Sequence, residues 1–232
     1  MRETREPPLL AHRLATRPFY DAGKSIMDLC ISVLALVLLA PVWVLIAVLV
    51  KLTSDGPVFF TAEAIGKNEV PYCVYKFRTM FVDSNQKVHE EFLDKYVNNN
   101  EPFAIVRDRM GREKKVYKVI NDSRVTPLGR VLRRTGLDEV PQFLNVLKGE
   151  MSIVGPRAPM KSEFVHYNVW HKQRLAVLPG ITGLYQVTKR SEVPFDEMVK
   201  IDLEYISTRS MLLDIIIMLK TLPVMLFSKG AY

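Results

Sequence analysis

The sequence predicts an α+β fold, mostly helical, in which a re-entrant membrane helix–break–helix leads into a small cytosolic domain with interfacial helices. Three observations carry that reading. Residues 29–50 carry no formal charge and are interrupted by Pro41. Residues 74–80, Val-Tyr-Lys-Phe-Arg-Thr-Met, alternate apolar and polar side chains as a half-buried strand does. Residues 211–227 are apolar but contain Asp214, Lys220 and Pro223, which suits a helix lying at an interface better than one crossing it. A core helix is the alternative for that last stretch. The boundaries that follow are a basic N-terminal segment over 1–23, the membrane element over 24–51 and the cytosolic domain over 52–232.

The 22 uncharged residues from 29 to 50 would rise about 33 Å as a helix, against a hydrocarbon core of about 30 Å. The run is too long for a signal peptide, and no small-x-small cleavage site follows it. Pro41 lies near its middle, removes one backbone donor and biases Ala40 away from helical torsions. Arg13, Arg17 and Lys24 flank one side, and Lys51 and Lys67 the other. Positive charge on both flanks opposes translocation of either end. A helix that enters, breaks at Ala40-Pro41 and returns to the same leaflet satisfies this. A proline-kinked spanning helix is the open alternative. Gly23-Lys24-Ser25 imitates the end of a P-loop, but position 18, where that motif needs glycine, is Pro18.

Net charge is +7 over 232 residues, which suits anionic lipid, a phosphorylated substrate or nucleic acid. No zinc-finger spacing, aromatic RNA-binding signature or long basic tail accompanies that charge, so no nucleic-acid partner is expected. The two cysteines, Cys30 and Cys73, make no disulfide framework or metal site and fit a reducing cytosolic side. The four histidines have no ligand spacing.

Past the apolar run, Ser54-Asp55-Gly56-Pro57 reads as a turn and Val58-Phe59-Phe60 as a short strand or interfacial patch. Residues 74–80 place Lys76 and Arg78 on one strand face, either solvated or turned to an anion. Residues 82–97 read as an amphipathic helix stopped by Asn98-Asn99-Asn100, and 114–119 as a strand near a hairpin. Residues 140–147 read as a helix with Gly149 just past its end. Leu178 to Gly183 reads as a rigid turn.

The chemistry-bearing residues cluster around Asp138-Glu139. Asp138 stands where an N-cap would stand, and a carboxylate there lies in the positive end of a helix dipole, where phosphate is also favoured. Structural cap and active-site carboxylate are both open on pattern alone. Arg133 and Arg134 precede the pair, and Arg157 follows Gly155-Pro156 after a short strand. Carboxylates can hold a divalent cation or attack phosphorus, and arginines grip phosphate oxygens, so the set points to phosphoryl chemistry at a membrane.

Taken together, these stretches resemble the bacterial sugar transferase family, the monotopic phosphoglycosyl transferases. The likeness covers roughly 20–232. It rests on 24–57 with its central proline, Tyr75-Lys76-Phe77-Arg78-Thr79-Met80, Asp122-Ser123-Arg124-Val125-Thr126 and Leu132 through Gln142. Ser152-Ile153-Val154-Gly155-Pro156-Arg157, Leu178 through Val187 and the ending Gly230-Ala231-Tyr232 complete it. The resemblance implies transfer of a sugar 1-phosphate from a UDP-sugar to polyprenol (undecaprenyl) phosphate. It makes Asp138 the nucleophile of a covalent phosphosugar intermediate, with release of UMP. Glu139 would help hold Mg²⁺, and Arg133 and Arg157 would contact phosphate, with Lys76 and Arg78 as further candidates. The re-entrant topology broken at Pro41 is likewise implied, with the catalytic domain on the cytoplasmic side of the bacterial inner membrane, membrane lipid as a partner and a homodimer allowed. The family often has proline directly after Gly-Pro-Arg and serine before the helix break, where this chain has Ala158 and Ala40. Larger members carry a multi-helix membrane domain ahead of this unit, so the chain reads as the minimal catalytic form. A nucleotide-sugar hydrolase and a non-enzymatic membrane scaffold are the competing functions.

Overall fold

The computed structural model describes residues 17–82, 87–107, 112–120 and 122–227. Helix α1 spans Pro18–Thr53, beginning with proline in its first turn, where the missing N–H costs nothing, and ending where Ser54 turns extended. It starts earlier than the predicted membrane element and remains helical across Pro41, which lies inside it, so the expected break is not an interruption of secondary structure. Most of its apolar side chains face outward, among them Leu29, Val33, Leu34, Val37, Leu38, Val44, Leu45 and Val48.

Both ends of α1 nevertheless dock on the rest of the molecule. Near its start, Lys24 Nζ and Tyr20 Oη each reach Asp214 Oδ2 at 2.8 Å, and Asp28 Oδ1 accepts from the Ile153 amide at 3.2 Å. Near its end, Ile46 and Val50 are buried with Phe77 and Leu132, and the Trp43 ring meets Phe77 edge-on at 5.7 Å.

Three small two-stranded sheets follow. β1 (Phe59–Ile65) and β2 (Pro71–Phe77) pair antiparallel, as do β3 (Ala104–Arg107) and β4 (Glu113–Val116), whereas β5 (Ser152–Val154) and β6 (Gly180–Thr182) pair parallel. The alternation read over 74–80 is therefore a real strand, shifted to an earlier start. The amphipathic stretch over 82–97 is helix only as α2 (Lys87–Leu93), followed by a wider turn over Asp94–Asn98. The stretch read as a rigid turn from Leu178 holds β6, because Gly155 and Gly180 approach so closely that a Cβ on either would strike the other's backbone.

The remaining helices are α3 (Pro127–Thr135), α4 (Phe143–Leu147), α5 (Lys161–Phe164), α6 (Leu184–Thr188), α7 (Phe195–Thr208) and α8 (Met211–Phe227). The main core gathers Val74, Tyr96, Val154, Phe195, Met198, Val199 and Ile206. Helix α8 buries Asp214 and Ile217 but exposes Leu212, Ile215, Ile216, Leu219 and Leu222. Those exposed positions recur at helical spacing, so one apolar face is left outward, as an interfacial helix requires. The ending Gly230-Ala231-Tyr232, Arg13 and residues 83–86 of the expected helix lie outside the described residues.

Candidate active site

Helix α3 aims the site. The Thr126 hydroxyl accepts from the Gly129 amide at 2.9 Å, capping the helix, and Pro127 occupies its first turn. Gly129 lies against the Thr79 carbonyl with no room for a Cβ, which brings α3 onto the chain leaving β2. Arg133, in the last turn, then donates from Nε to Thr79 Oγ1 at 2.8 Å. Gly136 ends the helix in the left-handed region at φ 71° and turns the chain into a tight helical turn over Leu137–Gln142.

Asp138 and Glu139 lie in that turn. The predicted helix over 140–147 is in fact this tight turn followed by α4, and the residue at the turn's N-cap is Gly136, with no side-chain cap bond. Asp138 is therefore not a cap, and its carboxylate is not committed to holding a helix end. It is 8% exposed. Burial pushes its pKa up to about 6, with the Glu139 charge adding to the rise, while Lys76 and Arg133 pull the other way.

Glu139 behaves oppositely. Burial opposes its ionisation, but Lys76 outweighs that, so its pKa lies below the usual carboxylate value, with Arg157 and a hydrogen bond from Gln142 assisting. Lys76 Nζ donates to Glu139 Oε1 at 2.5 Å, and 38% of the Glu139 side chain stays open to solvent. Two adjacent carboxyls thus differ in role: a buried one that ionises reluctantly beside a partly open one that is firmly anionic.

Of the residues singled out from sequence, Asp138, Glu139, Lys76, Arg133 and Arg157 are brought within electrostatic reach of one another. Arg78 is not among them. It is buried under the turn that ends α1, with Nη1 donating to the Asp55 carbonyl, and a Cβ on Gly56 would strike its guanidinium. The strand ends at Phe77, so the shared face read for Lys76 and Arg78 stops between them.

Two cations escaped the sequence reading. Lys118, just past β4, feels Arg190, Arg133, Asp138 and Glu139, and burial lowers its pKa. Arg190 follows α6 with φ 44°, a left-handed backbone at a non-glycine residue. Neither belongs to a recognisable motif, and only the chain's return to α3 reveals them. Glu163, which holds Arg157, was missed for the same reason.

Among the described residues no group of three or more His, Cys, Asp or Glu could cage a metal. Mg²⁺ does not require one, since it keeps several waters and is commonly held by one or two carboxylates plus substrate phosphates. A single partly open, anionic Glu139 beside Lys76 and Arg157 fits that mode.

The family model described as "Bacterial sugar transferase" matches residues 19–228. The chain is 37% identical over 218 residues to the exopolysaccharide production protein ExoY of Sinorhizobium fredii, covering 94% of this chain and 92% of that protein. It is 37% identical to the galactosyl transferase CpsE of Streptococcus agalactiae, covering 95% of this chain and 44% of CpsE. It is also 37% identical to the undecaprenyl-phosphate galactose phosphotransferase of Salmonella typhimurium, covering 90% of this chain and 41% of that protein. The chain thus spans less than half of the latter two.

Proposed function

The chain belongs to the bacterial sugar transferase family, and on that premise we propose that it transfers a sugar 1-phosphate from a UDP-sugar to polyprenol (undecaprenyl) phosphate. The observation that carries the reading is the pairing of a buried, uncommitted Asp138 with a Lys76-bound Glu139 inside a ring of cations.

The chemistry runs in two displacements. The Asp138 carboxylate attacks the sugar-bearing phosphorus of the donor. The bond from that phosphorus to the bridging oxygen breaks, UMP departs with that oxygen, and an aspartyl phosphosugar is left. A phosphate oxygen of the polyprenol phosphate then attacks the same phosphorus, restoring the carboxylate and forming the sugar diphosphate lipid. A covalent intermediate lets a soluble donor and a lipid acceptor use one site in turn. Attack by an anion on a diphosphate meets repulsion, which Arg133, Arg157, Lys118 and Lys76 offset without moving. Bound Mg²⁺, with Glu139 as its protein ligand, would supply further neutralisation of diphosphate charge. Lys76 holds Glu139 in place, and burial around Asp138 excludes water that would hydrolyse the acyl phosphate.

The docking of both α1 ends on one domain supports the re-entrant topology, with the catalytic domain on the cytoplasmic face of the inner membrane. A straight span of about 33 Å would carry one end to the opposite surface, away from the domain. In the re-entrant arrangement the outward apolar faces of α1 and α8 enter lipid.

The test is UMP release from a panel of UDP-sugars with and without undecaprenyl phosphate. The transferase reading expects turnover with at least one donor that requires the lipid, and a sugar diphosphate lipid as product. Release indifferent to the lipid would make the protein a nucleotide-sugar hydrolase, and no release with any donor would leave a scaffold.

A further inference from the structure

Behind Arg157 lies a cluster of buried charges that the chemistry above does not use. Arg157 Nη1 donates to Glu163 Oε2 at 2.9 Å, and the two side chains differ sharply in access: 43% of Arg157 is exposed but only 6% of Glu163. The other Glu163 oxygen accepts from the Tyr167 hydroxyl at 2.7 Å. Arg174, wholly buried, donates from Nη1 to that same hydroxyl oxygen at 2.6 Å and from Nη2 to the Arg157 carbonyl at 3.0 Å, and it is paired with Asp202. Arg157 is therefore held twice, by its carbonyl through Arg174 and by its guanidinium through Glu163. The Arg157 backbone is also bridged to Gly180, the first residue of β6.

A solitary arginine at the end of a strand would sample many rotamers, and each phosphate bond would cost the ordering of a long side chain. Here one amino group is tied to a buried carboxylate whose own orientation is fixed by Tyr167 and Arg174. The Arg157 side chain as a whole keeps 43% of its surface exposed, so the tie does not bury it. Glu163 is not solvated and touches no group that would react, so holding Arg157 is the use its buried charge has.

We propose that Glu163 is a positioning residue, which, braced by Tyr167 and Arg174, fixes the Arg157 guanidinium for the donor diphosphate. This rests on the transferase reading, in which Arg157 grips phosphate. A guanidinium misplaced by about 1 Å is expected to cost on the order of tenfold to a hundredfold in rate.

The experiment is a double-mutant cycle on the full chain in detergent or nanodiscs, scored by kcat/KM for the UDP-sugar. Glu163→Gln keeps the shape and one acceptor but removes the charge. It should lower kcat/KM at least tenfold in the parent and change it less than twofold in an Arg157→Ala background. Equal losses in both backgrounds would overturn the proposal and show a structural role for Glu163, while leaving the transferase reading intact. If Arg157→Ala itself has no effect, the phosphate role of Arg157 fails and the proposal falls with it. Should Glu163→Gln fail to fold, Tyr167→Phe removes only the bridging hydroxyl and replaces it in the cycle. Its loss must likewise vanish in the Arg157→Ala background, and an additive loss overturns the proposal.

Discussion

Replacing Asp138 with Asn separates its chemical role from its structural one, because the two predict opposite changes. In the folded protein burial raises the Asp138 pKa from 3.8 to about 6. A carboxyl whose folded pKa lies above its unfolded value is harder to ionise in the fold. It costs no stability below the unfolded pKa, a growing amount between the two values and its full amount above the folded pKa. From those two pKa values the cost is on the order of 1–2 kcal/mol at pH 5 and about 3 kcal/mol at pH 7.5. Asn fills the same space without a charge, so Asp138→Asn should be the more stable protein, increasingly so as pH rises. At roughly 2–4 °C per kcal/mol for a chain of this size, the melting temperature should rise about 6–12 °C at pH 7.5 and about half that at pH 5. Turnover should meanwhile collapse, since the amide cannot attack phosphorus. Thermal melts of both proteins in the same detergent across pH 5–8, alongside UMP release, measure the two together. Substantial turnover by Asp138→Asn would sink the nucleophile. A variant less stable than the parent at pH 7.5 would sink the account of Asp138 as a strained, buried charge.

Four further outcomes follow from the same geometry. Because Asp138 must be ionised to attack, kcat/KM for the donor should fall on acidification with a midpoint near its raised pKa of about 6, and a midpoint near 4 would contradict its burial. Glu139→Gln should weaken the Mg²⁺ dependence of turnover, and an unchanged Mg²⁺ requirement would remove Glu139 from that role. Gly129→Ala drives a methyl into the Thr79 carbonyl, so it should cost about 1–3 kcal/mol and lower activity by shifting Arg133 from Thr79, read by melting and turnover. Single cysteines at 19 and 55 of a cysteine-free protein should be labelled from the same, cytoplasmic, side, and Pro41→Leu should move the first to the other side; opposite-side labelling in the parent would make α1 a span.

Local chemistry made part of this molecule readable. Alternation over 74–80 marks much of β2, because that strand buries one face, whereas α3, although bounded by the local caps Thr126, Pro127 and Gly136, went unread. Asp138-Glu139 and Arg157 stood out by residue type and spacing, and the fold brings them together. What escaped depends on distant parts of the chain. Whether Asp138 capped a helix was decided by Gly136 ending α3 one step earlier and by the tight turn that displaced the helix start. Arg78 shares a sequence parity with Lys76, but β2 ends between them and the α1 exit turn captures its guanidinium. Lys118 and Glu163 carry no motif, since their roles exist only once β4 and α5 pack beside residues far from them in the sequence. The middle region, weak in pattern, pairs β3 with β4 and places Lys118 just past the second strand, a cation without a signature.

The two arms of the site are tied to the two ends of helix α1. At its C-terminal end, Lys51 Nζ reaches the Gly56 carbonyl at 3.3 Å, and Arg78 clamps the Asp55 carbonyl of the same turn. Arg78 is two residues from Lys76, which holds Glu139. At its N-terminal end, Asp28 takes the Ile153 amide, and Tyr205, bound to Asp214 beside Lys24, donates to the Val154 carbonyl at 3.1 Å. Those β5 residues lie three or four positions before Arg157. A displacement of either end of α1 therefore has a short, bonded route to one side of the carboxylate pair. On the proposed re-entrant reading, the depth of α1 in lipid and the spacing of Lys76 and Arg157 about Asp138 would be set by the same bonds. On the proposed transferase reading, a lipid acceptor would meet a site whose height above the bilayer is set by α1 itself.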